Sequence, residues 1–116
     1  MSEFRDLAPG ITRQRLVIEG YPAFPISEDH VHTYLGGLSQ VTGMVPLIPP
    51  VTHRSTRYGW AGWIHWETSG AHFYAWDEPL LFFSVDIYTC KPFDPDAAVA
   101  FTADFFAATV IVAREF

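Results

Sequence analysis

Apolar and polar positions alternate with period two in several stretches of this chain and recur at helical spacing in two others. The alternation is clearest in "LLFFSVDIYTC". Successive side chains of a strand point to opposite faces, so a strand over about residues 80–90 places Leu81, Phe83, Val85 and Ile87 on one face and Ser84, Asp86, Tyr88 and Cys90 on the other. The first set predicts a core beneath helices, the second a candidate functional face. The strand expected over 60–67 splits likewise, with Trp63, His65 and Glu67 against Trp60, Ile64 and Trp66. A further strand is expected over 71–76, with turns near Ser69-Gly70 and Asp77–Pro79. "RQRLVIEGY" predicts a strand from about Arg13 to Gly20, and "TVIVAREF" a closing strand. "VPLIPPVTHRS" interleaves apolar residues with prolines, which suits an edge strand or an extended connection because proline cannot donate to a central ladder.

Helical spacing appears first after Ser27, an N-cap residue followed by Glu28 and Asp29 where the helix dipole favours acids. Val31, Tyr34, Leu35 and Leu38 share a face, Gly36-Gly37 weakens the interior, and Gly43 suits the stop. The second helix opens with Asp94 as N-cap and Pro95 at its first position, and sets Phe101 and Phe105 one turn apart. The order β-α-(β)-β-β-β-α-β predicts an α+β (α/β) two-layer sandwich, a mainly antiparallel sheet with both helices on one face and the other face open.

Composition narrows this picture. At 116 residues, 49% apolar and 17% charged, the chain is expected to fold as one domain over residues 1–116, with residues 1–10 a loose arm. Its 16% aromatic content exceeds what so small a core easily hides, which predicts an interface or ligand pocket and a homo-oligomer. A net charge of −6 and scattered basic residues argue against nucleic acid as a partner. No apolar run approaches the roughly 20 residues that span a bilayer, and the N-terminus lacks signal-peptide order, so a cytoplasmic protein with no membrane partner is expected. The single cysteine, Cys90, excludes an internal disulfide and a multi-cysteine zinc cage. His30 and His32, two apart at a helix start, do not face each other as a metal pair, and no metal is expected. Ser69 lies near histidines but has no G-x-S-x-G elbow. Pattern and composition alone yield a polar face around Ser69 and Cys90, and no reaction.

Taken together, "GWAGWIHWETSGAHFYAWDEPLLFFSVDIYTCKPFDPDAAVAF" resembles the bacterial and archaeal class of S-adenosylmethionine decarboxylase. That family shows a G-x-S-G strand start, a Glu-Ser cleavage site, an H-T-W-P-E block and V-D-x-F-T-C-G. Here "GWAG", "AWDE" and "VDIYTC" stand in that order, with one extra residue between Trp76 and Val85. The resemblance implies a homodimer with an α/β/β/α stack, sites near the interface, and an S-adenosylmethionine-like substrate in polyamine (spermidine) synthesis. It also implies autocatalytic cleavage at Thr68-Ser69 that turns Ser69 into a pyruvoyl group, whose ketone serves as electron sink. Cys90 aligns with the proton-donating thiol, Glu78 with the glutamate of the tryptophan block, and Trp63, Glu67 and Trp76 are offered for substrate binding.

Three positions depart from the family. Thr68 replaces the glutamate before the serine, Tyr74 replaces the histidine that aids processing, and Ala61 replaces the serine of the first block. An unperturbed tyrosine, with a pKa near 10, is a poor base at neutral pH beside an imidazole near 6.5. His72, on the same side of a regular strand as Tyr74, is the substitute on offer. A one-residue slip would instead cleave Glu67-Thr68 and leave a 2-oxobutanoyl group. Two functions therefore stand together: a self-processed decarboxylase, and an uncleaved, non-catalytic homologue that binds a ligand or supports a partner.

Overall fold

The computed structural model describes residues 2–116; Met1, the first residue of the expected arm, lies outside them. Six strands and two helices follow in the order β1 (Gln14–Tyr21), α1 (Glu28–Thr42), β2 (Val51–Arg54), β3 (Trp60–His65), β4 (Ser69–Trp76), β5 (Phe82–Thr89), α2 (Pro95–Phe105) and β6 (Val110–Glu115). The strands form one sheet in the order β2-β3-β4-β5-β1-β6, with every neighbouring pair antiparallel. Both helices cover one face, giving an α+β two-layer sandwich as the periodicity predicts.

Local chemistry sets the helix ends. Ser27 caps α1, its hydroxyl accepting from the His30 N–H while the His30 ring accepts from the Ser27 N–H at 3.0 Å. Gly43 closes the helix with a φ of 69°, a left-handed conformation that glycine adopts without a Cβ clash. Asp94 caps α2 by accepting from the Asp96 N–H at 2.9 Å, with Pro95 behind it.

The core is the inner alternation of the central strands against α1. Phe73, Phe83, Val85 and Ile87 are buried beneath Val31, Tyr34, Leu35 and Leu38. Tyr34 is fully enclosed, with Phe73, Phe101, Phe105 and Phe106 ringed about it at 4.8–5.6 Å. Its hydroxyl donates to Thr102 Oγ1 at 2.8 Å, since the Thr102 hydroxyl itself donates to the Ala98 carbonyl. Burial pushes the Tyr34 phenol well above tyrosine's ordinary range, and the Thr102 bond only partly opposes this.

Two expectations are corrected. The turn between the first and second predicted strands of the meander is not Ser69-Gly70 but Glu67-Thr68. Trp66 and Ser69 bond each other both ways, at 2.8 and 3.3 Å, so Ser69 already belongs to β4. Pairing across the hairpin outweighs the turn preference of Ser-Gly. The third predicted strand is shorter, Phe82–Thr89, with Leu81 only half-buried ahead of it. The proline-rich segment supplies the edge strand expected of it, the four-residue β2, together with an isolated bridge between Pro46 and Trp66.

Candidate functional site

Alternation on β3, β4, β5 and β1 delivers a group of side chains to the open face, at the end of the sheet where β4 starts. The pairs Trp63–His72 on β3/β4 and His72–Asp86 on β4/β5 place three of them abreast. The Trp63 ring lies 5.7 Å from His65 and 6.4 Å from His72. Arg15 on β1 reaches across to Asp86 with two bonds of 3.0 and 2.7 Å, a fork-on-carboxylate geometry that raises the arginine pKa further. Together with Glu67, Thr68, Ser69, Gly70, Tyr88 and Cys90 these residues line an open cleft of about 780 Å³.

At its rim the backbone is held in a specific way. Cys90, exposed just beyond β5, donates its N–H to the Thr68 carbonyl oxygen at 3.1 Å. That carbonyl belongs to the Thr68-Ser69 peptide bond. The Ser69 hydroxyl points to the helix-covered side, on the same parity as buried Ala71 and Phe73, and lies 3.0 Å from the Thr68 hydroxyl and 3.6 Å from Met44 Sδ. His72 has the opposite parity and stands exposed on the open face. A hydroxyl thus adjoins a carbonyl that accepts a backbone N–H, while the His72 imidazole lies on the other face of the sheet.

Of the residues singled out from sequence, the structure gathers Trp63, Glu67, Thr68, Ser69, His72 and Cys90 around this cleft. It does not bring Tyr74, Trp76 or Glu78 there within one chain. Tyr74 is five residues along β4 from Ser69, roughly 17 Å at strand rise, and Trp76 pairs with Phe82 at the far end of the hairpin. Glu78 sits in the β4–β5 turn beyond it. Tyr58, Tyr74, Trp76 and Phe82 instead form an aromatic patch with ring separations of 5.2–6.4 Å. Sequence reasoning did not single out Arg15 or Met44. Arg15 carries a signal in hindsight, being in phase with a strand whose even positions are buried, whereas Met44 is a loop residue that no periodicity marks.

Among the described residues no group of three or more His, Cys, Asp or Glu is placed to hold a metal ion, and no helix is long and apolar enough to cross a membrane.

The sequence model of one protein family, described as S-adenosylmethionine decarboxylase, matches residues 17–116. The chain belongs to the S-adenosylmethionine decarboxylase family. No curated protein matches it by sequence. Among solved structures it is similar to the adenosylmethionine decarboxylase of Aquifex aeolicus, with a TM-score of 0.66 and 16% identity over 91% of this chain and 89% of that one. At that identity the likeness speaks to the fold. Enzymes of the family are pyruvoyl-dependent.

Proposed function

We propose that this protein is a pyruvoyl-dependent decarboxylase of S-adenosylmethionine or a closely similar amino acid, working in polyamine synthesis as a homodimer, with Ser69 as the pyruvoyl precursor. The observation that carries this is the Cys90 N–H bonded to the Thr68 carbonyl oxygen at 3.1 Å, next to the Ser69 hydroxyl. Attack by that hydroxyl loads negative charge onto the carbonyl oxygen, and a fixed backbone donor aimed there stabilises it. Among the described residues the Glu67 carbonyl accepts no such bond. This favours cleavage at Thr68-Ser69, and a pyruvoyl rather than a 2-oxobutanoyl group. The group supplies an electron-withdrawing ketone when formed. Around it, Cys90 would return a proton from the exposed side of the cleft, Trp63 would offer a face for an adenine, and Glu67 a carboxylate for a cationic centre.

Tyr74, Trp76 and Glu78 belong to the same site only if a second copy brings them. Two open sheet faces packed about a two-fold axis, the α/β/β/α arrangement, would lay the far end of one β4 over the cleft beside the other.

A second reading is favoured by a different observation. The Ser69 hydroxyl has Met44 Sδ and Thr68 Oγ1 as its side-chain partners, neither of which takes up a proton at neutral pH. On this reading the chain stays whole and uses the cleft to bind a ligand. Intact-mass measurement of the purified protein separates the two. Processing predicts fragments divided before residue 69, the second with a blocked N-terminus, and a Ser69→Ala variant that stays whole. One undivided wild-type chain after prolonged incubation rejects the pyruvoyl reading. The binding reading then fails in turn if S-adenosylmethionine, its decarboxylated form and polyamines all leave the melting temperature unmoved.

A further inference from the structure

We infer that Met44 is a positioning residue that restrains self-processing at Ser69, an inference that rests on Thr68-Ser69 being the processing bond. Several constraints deliver its sulfur to that bond. The left-handed turn at Gly43 redirects the chain out of α1, and the Met44 N–H donates to the Ser39 carbonyl at 2.9 Å. Lys91, directly after Cys90, donates from Nζ to the Gly43 carbonyl at 3.0 Å and ties this loop to the end of β5. The loop then runs along the end of β3, with the Glu67 N–H bonded to the Val45 carbonyl at 2.9 Å and the Leu47 N–H to the His65 carbonyl at 3.0 Å. Met44 is therefore buried beneath the Glu67-Thr68 turn, and its thioether accepts from both hydroxyls, Ser69 at 3.6 Å and Thr68 at 3.8 Å.

The chemistry of processing shows what this costs. In the first step Ser69 Oγ forms a bond to the Thr68 carbonyl carbon, the C–N bond breaks, and the hydroxyl proton ends on the departing nitrogen, leaving an ester and a free amine. In the second a base removes the Ser69 Hα, the Cβ–Oγ bond breaks, and Thr68 leaves as a carboxylate. The resulting enamine tautomerises to an imine, and water releases ammonia to leave the ketone. Both steps need a proton carrier near Ser69. A thioether accepts a weak hydrogen bond but not a proton, so Met44 holds the hydroxyl on the helix side with nowhere to pass its proton. A base projecting from position 44 would meet both requirements from the same place.

The test is the rate of cleavage, read by intact mass from pH 5.5 to 8.5, in wild type, Met44→Leu, Met44→His and Met44→His/Ser69→Ala, with a thermal melt on each to establish folding. Met44→Leu, which keeps volume and removes the acceptor, is expected to cleave faster than wild type with no new titration. Met44→His is expected to cleave about a hundredfold faster, the low end of general-base assistance, with a rate that rises with pH through the imidazole range. The Ser69→Ala double variant stays whole. Equal rates in wild type, Met44→Leu and Met44→His overturn the inference, as does a gain in Met44→His that is flat with pH, the mark of mere loosening. Should Met44→His not fold, Met44→Glu supplies a carboxylate at the same place and carries the same rate criterion. If wild type stays whole while Met44→His cleaves, the pyruvoyl reading of the natural protein fails and the role of Met44 stands. If wild type cleaves and no substitution alters the rate, the reverse holds.

Discussion

Replacing Tyr34 by phenylalanine is predicted to change sign in its effect on stability as pH rises. At neutral pH the variant loses the hydrogen bond from the phenol to Thr102 Oγ1, 2.8 Å long and fully enclosed. Thr102 keeps its own bond to the Ala98 carbonyl, so no donor is orphaned, and a loss of about 1 kcal/mol is expected. Alkaline pH acts through the unfolded chain. Burial raises the folded-state pKa of Tyr34, so the folded protein holds that proton after the unfolded chain, at about pH 10, begins to release it. The contribution is complete below the unfolded pKa and is lost as pH climbs from there toward the folded pKa. One unit above, the wild type has lost roughly 1.4 kcal/mol through this one residue, and the variant nothing. Tyr34→Phe should thus be less stable by about 1 kcal/mol at pH 7 and slightly more stable, by about 0.4 kcal/mol, near pH 11. The other four of the five tyrosines are common to both proteins and cancel in the difference. Urea unfolding of both proteins at half-unit steps from pH 8 to 11 measures it. A stability difference independent of pH over that range would refute a phenol held neutral inside the core.

Two further stability predictions concern residues that seat the site. Gly62 faces α1 from β3, and a Cβ there would drive into Val31 Cγ1 and press on Leu35 Cδ1 at 3.1 Å; Gly62→Ala should cost about 1–3 kcal/mol by overpacking, and Val31→Ala should recover part of this in a double-mutant cycle by urea unfolding. The buried Trp66 indole, immediately before the Glu67-Thr68 turn, donates to Ser39 Oγ at 2.7 Å; Ser39→Ala should cost about 1–3 kcal/mol by leaving that N–H without a partner, measured the same way.

The elements of this fold were legible because each carries a local device. Ser27 and Asp94 start the helices by their own side chains, and the run from Phe82 to Thr89 sorts its two faces by parity alone. Sheet order is of another kind. β1 lies between β5 and β6, so the first strand pairs with elements some seventy and ninety residues on, and no periodicity names a strand's neighbour. The site divides along the same line. Thr68, Ser69, His72 and Cys90 come from one hairpin and the strand after it, and their proximity follows from the meander. Arg15 reaches Asp86 through the β1–β5 pairing, and Met44 reaches Ser69 through a helix cap and a lysine tether. The beginning of β4 was misplaced for an instructive reason. Ser-Gly is common in turns, and burial of Ile64, Trp66, Ala71 and Phe73 fits either turn because the two differ by two residues and keep the same parity; the paired backbone bonds between Trp66 and Ser69 are what close the hairpin at Glu67-Thr68.

The open face makes a demand that one chain does not meet. Tyr74, Tyr88, Val51, Val110 and Val112 project from it with 39–57% of their surface exposed, beside Trp63, Trp76 and Phe82. Exposed apolar side chains grouped on one face are the kind of surface that partners cover, and the proposed homodimer would cover it. On the proposed homodimer, a second copy of the same face would bring Tyr74 and Glu78 towards the neighbourhood of Ser69. Tyr74→Glu tests this directly. The position is exposed and its alternation leaves the core untouched, so the variant should fold and melt near wild type, while a carboxylate buried unpaired between two sheets would cost several kcal/mol in the assembly. Light scattering should then report a mass near 13.1 kDa for Tyr74→Glu and about twice that for wild type. If the two proteins show the same dimeric mass, the sheets do not pack face to face, and Tyr74 and Glu78 have no route to the cleft. If wild type is itself monomeric at working concentration, the cleft must act with the residues of one chain, and Cys90, His72 and Glu67 are then the only ionisable groups of the predicted set left to it.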